Sequence, residues 1–123
     1  MNLLPIKIEK GSRIFQEEQE VDELTFVCKG SFAIGFVINR YEKLVIKQSR
    51  GTVVAGFECS IDRRSLYLYK SLSVIEGYFI RKKNWKELGE QFPDYMKDVN
   101  NHFLSIVFAI QNPFIQKCKQ KEI

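Results

Sequence analysis

The chain reads as a mainly β protein closed by C-terminal helices, and three observations predict this. Short apolar runs, about eight of them, follow one another from Leu4 to Ile80 at turn spacings of about 8–12 residues, the rhythm of an all-β sandwich or barrel. Gly, Ser, Asn and Asp cluster between the runs. After Lys82 the period changes: Tyr95, Val99, Phe103, Ile106, Val107 and Ile110 make a helical stripe. The 123 residues, 45% of them hydrophobic, suit one folded domain over 1–123 with one core. Its parts are strands over about 4–81, helices over about 84–112 and a basic tail over 113–123.

Taken in order, Leu4, Ile6 and Ile8 alternate as a first strand, and Glu9-Lys10-Gly11-Ser12 turns the chain. Ile14-Phe15 is a short apolar pair. Gln16 to Glu23 is acidic and reads as a solvated loop anchored by Val21. Leu24 to Lys29 is a strand, and Lys29-Gly30-Ser31 turns it. Phe32 to Ile38 has strand period, Asn39-Arg40 is a turn, and Tyr41 to Gln48 is the next strand. Ser49-Arg50-Gly51 turns again before Val53-Val54. Ser65 to Leu72 and Val74 to Ile80 alternate, with Gly77 marking a bulge or a close approach. Asn84 is the expected cap of a short helix through Trp85 and Leu88, with Glu87 completing a capping box. Phe92-Pro93 ends it, Asp94 caps the longer helix, and Pro113 stops that one near Asn112.

Composition excludes several classes. Net charge is +4, and the late lysines read as solvated surface rather than a nucleic-acid face. The three cysteines, Cys28, Cys59 and Cys118, are odd in number and share no metal-ligand spacing, which favours reduced thiols and a cytoplasmic setting. No apolar run reaches the ~20 residues of a membrane helix. One histidine, His102, does not furnish a metal site, and no nucleophile elbow or P-loop occurs. The chain is therefore read as neither an enzyme nor a metalloprotein. His102 reads as surface or packing, Cys59 as packing, Trp85 as a docking residue and Met96 as half-buried.

The stretch from Gly51 to Lys70 is the place where chemistry concentrates. It holds a strand, a Gly turn at Gly56, Glu58, a short helical turn, Arg63 and Arg64, and an alternating strand from Ser65. Backbone N–H groups at a helix start and an Arg fork suit an oxyanion.

Lys10-Gly11 with Phe15, then Asp22-Glu23-Leu24-Thr25-Phe26-Val27-Cys28-Lys29-Gly30, and then Arg81 to Trp85 before Phe92-Pro93 together resemble the cyclic-nucleotide-binding domain family over about residues 5–112. Gly56-Phe57-Glu58-Cys59, Tyr67-Leu68-Tyr69-Lys70, Glu76-Gly77-Tyr78 and Asn112-Pro113 look most like the cytosolic domains of protist voltage-gated, cyclic-nucleotide-gated potassium channels. The resemblance implies an eight-stranded β-roll of jelly-roll type with flanking helices. It implies a cyclic phosphate on a helix start and an Arg, a Glu on the ribose hydroxyl, and a last helix that closes as a lid. Carried onto this sequence, the ligand residues are Gly56, Phe57, Glu58, Cys59, Arg64 and Ser65, the ligand is cAMP or cGMP, no further cofactor is needed, and the partner is a larger channel or signalling assembly. The alternative is a degenerate roll serving as an interaction or structural subunit. The chain departs from the family at two points. Glu58 stands one place late after Gly56, and Arg64 one place early, with bulky Leu66 and Tyr67 after Ser65. A one-residue slip reverses the face of a side chain, which turns Arg64 toward solvent and brings Tyr67 or Tyr69 into the ligand space.

Overall fold

A computed structural model describes residues 3–105. Eight strands form: β1 (Leu4–Ile8), β2 (Arg13–Phe15), β3 (Glu23–Lys29), β4 (Phe32–Ile38), β5 (Tyr41–Gln48), β6 (Val53–Val54), β7 (Leu68–Ser71) and β8 (Ile75–Arg81). The helices are α1 (Gly56–Ser60), α2 (Lys82–Gln91) and α3 over 93–105. The strands make two four-stranded antiparallel sheets in the orders β1-β8-β3-β6 and β2-β7-β4-β5. This is the expected β-roll with C-terminal helices.

Aromatic and branched side chains fill the space between the sheets. Leu24, Phe32, Val54, Leu68 and Ile75 are fully buried, and Phe15, Ile34, Tyr67 and Tyr69 nearly so. The rings meet edge-on, with Phe15 to Tyr69 at 6.3 Å and Phe36 to Tyr67 at 5.4 Å between centroids, a geometry that adds to simple burial. The β4–β5 hairpin turns through Asn39 and Arg40, both left-handed at φ 52° and 69°; two successive left-handed residues match the right-handed twist of the strands. Gly77 serves both of its expected purposes. It faces Val27 where the β3–β8 register shifts, and a side chain there would run into the Phe26 carbonyl.

Three boundaries differ from expectation. The strand expected from Ser65 begins at Leu68, because residues 65–67 are held by Glu58 and by the 16–23 loop as described below. α2 starts at Lys82 with Arg81 at its cap position and no side-chain cap bond, so Asn84 lies inside the first turn and makes no capping box. Pro93 opens α3 rather than preceding it, which suits a residue with fixed φ and no N–H to donate, and Asp94 lies within the first turn. Of the expected helical stripe, Phe103 is buried, Val99 half-buried and Tyr95 exposed. Ile106, Val107, Ile110, Asn112, Pro113, the basic tail and Cys118 lie outside the described residues.

Candidate functional site

The candidate site forms around α1, a helix of five residues between the roll and the later helices. It is entered through Ala55, which is left-handed at φ 58° and buried. That bend lets one turn of helix leave the end of β6. One side of α1 looks into the roll and the other looks at α2 and α3.

On the roll side Glu58 is fully buried. The Tyr69 hydroxyl donates to both carboxylate oxygens at 2.9 Å. The Leu66 N–H approaches Glu58 Oε2 at 3.3 Å and the Ser65 hydroxyl at 3.4 Å. Ser65 Oγ donates more strongly to the Tyr67 carbonyl, at 2.7 Å. No cation pairs with Glu58 among the described residues. Burial therefore pushes its carboxyl above the ordinary range, and the hydrogen bonds from Tyr69, Leu66 and Ser65 offset only part of this. Burial and the neighbouring Glu58 raise Tyr69 well above the ordinary phenol value, so its O–H remains a donor. Cys59 is also buried, and its thiol is pushed up to about 12 by burial, which leaves it a packing group and not a nucleophile.

On the helix side Gly56 meets Phe103 of α3. A Cβ at Gly56 would lie 2.6 Å from the Phe103 ring, so only glycine permits this contact. Ser60 accepts a hydrogen bond from the Trp85 indole N–H at 2.9 Å. Trp85 in turn packs on Phe26 at 6.2 Å and on Phe103 at 6.5 Å between centroids. Phe57 is half-buried against the core. Trp85→Phe keeps the ring contacts and loses only the indole donor; a stability loss of about 1 kcal/mol in urea unfolding is expected.

The structure thus brings Gly56, Phe57, Glu58, Cys59 and Ser65 to one corner and places Arg64 on its outer side. The cause is the 16–23 segment, which is more than a solvated loop. The Glu18 N–H donates to the Ser65 carbonyl and the Ser65 N–H to the Gln19 carbonyl, both at 2.8 Å. This pairing fixes Ser65 inward and leaves its neighbour on the outside. Arg64 is exposed and donates from Nη1 to the Glu18 carbonyl at 3.2 Å. Leu66 and Phe103 are the corner residues to which the sequence assigns no role there, since their roles depend on the 65–67 segment and on α3 docking. Of the two tyrosines named for the ligand space, Tyr69 is the one on Glu58.

No family model matches this chain, and no curated protein does. Solved structures do. A cAMP complex of the regulatory domain of Toxoplasma gondii PKA is similar at TM-score 0.65 and 15% identity, over 69% of this chain and 33% of that one. The half-site-occupied form of EAL enzyme Bd1971 is similar at TM-score 0.67 and 15% identity, over 98% and 99% of the two chains. The C-linker/CNBHD of zELK channels, crystallised in the presence of cAMP, is similar at TM-score 0.65 and 13% identity, over 84% and 52%. The chain spans about a third of the kinase regulatory chain it matches. Likeness at this identity establishes the fold: the chain has the β-roll of cyclic-nucleotide-binding domains. No helix among the described residues is long and apolar enough to cross a membrane.

Proposed function

We propose that this chain is a regulatory module that takes cAMP or cGMP at the α1 corner and passes the event to α3. One observation carries the reading: α1 is wedged between the roll interior, through Glu58, and the helices, through Gly56–Phe103 and Ser60–Trp85. A ligand that shifts α1 must therefore also shift Phe103 and Trp85. The corner supplies a carboxylate for a sugar hydroxyl and N–H groups at a helix start for a phosphate. The ligand moves α3 only by as much as its affinity differs between the two helix positions. Such a module works inside a larger assembly, on this reading the cytoplasmic part of a potassium channel or a related signalling protein. The quoted motifs and the zELK similarity support that context.

Titration with cAMP and cGMP while following the melting temperature tests the proposal. Ligand at a hundredfold excess over Kd is expected to add about 2.7 kcal/mol of stability. No shift at millimolar ligand retires it. Arg64→Ala is expected to leave nucleotide affinity unchanged, since the guanidinium points away from the corner; a large loss would mean that the 62–64 loop turns inward on binding.

A second reading starts from the Glu58 network. With Tyr69 on both carboxylate oxygens, the roll is closed on itself, and the module would act as a structural or protein-interaction subunit without ligand. A flat titration together with intact folding is its expected signature.

A further inference from the structure

The arginines that the corner does not use line a second, separate cleft. Glu20, Val21, Asp62, Arg63, Arg64 and Lys82 enclose a cavity of about 220 Å³ on the outer side of the roll. We propose that this cleft binds a multiply charged phosphate anion, as free phosphate or as a phosphorylated headgroup.

Four observations carry this. First, Asp62 is held left-handed at φ 62°, and its carboxylate takes Lys82 Nζ and Lys86 Nζ at 2.6 Å each. Two ammoniums are thereby gathered on one acid. Second, Arg63 is exposed and makes no side-chain hydrogen bond or ion pair among the described residues, while Arg64 spends only Nη1 on Glu18. Two guanidinium forks keep donors free for a tetrahedral oxyanion. Third, the lining cations Arg63, Arg64 and Lys82 outnumber the carboxylates Glu20 and Asp62 by one, and Lys86 adds a further charge on Asp62. Fourth, α2 opens at the cleft with Lys82 and with no acid in its first turn. A cation at the positive end of a helix is unfavourable, and an anion in the cleft adds to the relief that Asp62 gives Lys82. The cleft shares no lining residue with the α1 corner, so substitutions can address the two separately.

The test uses sodium pyrophosphate at low ionic strength, followed by calorimetry, and sedimentation with phosphatidylcholine vesicles with and without phosphatidylinositol bisphosphate. Arg63→Ala/Arg64→Ala is expected to weaken binding by about tenfold or more. Lys83→Ala removes one charge that does not line the cleft and is expected to change affinity less than about twofold, as for a solvent-screened charge. Pyrophosphate binding with this pattern supports a free phosphate ligand; vesicle binding with the same pattern, without pyrophosphate binding, supports a headgroup. Neither binding, or equal losses in Lys83→Ala and the double variant, overturns the proposal. All three substituted positions are exposed, and unchanged melting temperatures verify that each variant is folded.

Discussion

Phe103→Ala is expected to cost about 3 kcal/mol, near the lower end for truncating a buried aromatic. Phe103 is 4% exposed and fills the space above Gly56 and beside Trp85. Without it α3 loses its one fully inserted side chain in the described stretch, and local undocking of the helix limits the loss. The contact has a specific signature. Gly56→Ala puts a methyl into the Phe103 ring and is expected to destabilise by about 1–3 kcal/mol through overpacking. In the Phe103→Ala background the same change meets open space and is expected to be close to neutral. A double-mutant cycle by urea unfolding measures this coupling. Equal costs in both backgrounds would mean that Gly56 is needed for its backbone alone.

Glu58 is expected to produce the second large effect, and its sign follows from its burial. Its folded carboxyl titrates above the ordinary value of 4.5, so the folded state holds the proton more tightly than the unfolded chain. The stability this lends is fully present below about pH 4.5 and is lost as pH rises through the folded value. Each unit of displacement weighs about 1.4 kcal/mol. Glu58→Gln keeps an acceptor for the Tyr69 O–H and has no charge to bury. It is expected to be more stable than the parent at pH 7 and to lose the downward slope of stability between acid and neutral pH. Tyr69→Phe acts in the opposite direction: it removes the donor to both oxygens and is expected to cost about 1.5–3 kcal/mol at pH 7. Denaturant melts at several pH values measure both. A Glu58→Gln variant less stable than the parent at pH 7 would mean that the carboxylate has a cationic partner in solution.

The two effects explain how much of the molecule could be read from its residues. The places of the strands along the chain were legible because alternation is local: Phe32 to Ile38 and Tyr41 to Gln48 declare their period and their turn within a few residues. The Gly56 corner was legible as a place, since a Gly turn, an acid and two arginines stand close together in the chain. What each residue does there was not. Ser65 faces inward because Glu18 and Gln19 pair with its backbone, a contact across more than forty positions that no local pattern announces. That same pairing sends Arg64 outward. Gly56 reads as a turn in the sequence, and its docking against the Phe103 ring of α3 is a contact that no local pattern announces. Asn84 is not the cap its residue type suggests, because β8 continues to Arg81 and passes directly into helix.

Amide and aromatic NMR spectra during a cAMP or cGMP titration examine the central claim most directly, since they observe both sides of α1 at once. If α1 links the corner to α3, the Gly56 and Phe57 amide signals and the Phe103 ring signals move together with one midpoint. Corner amides that shift while Phe103 stays fixed, or no shift of either at millimolar ligand, would contradict it.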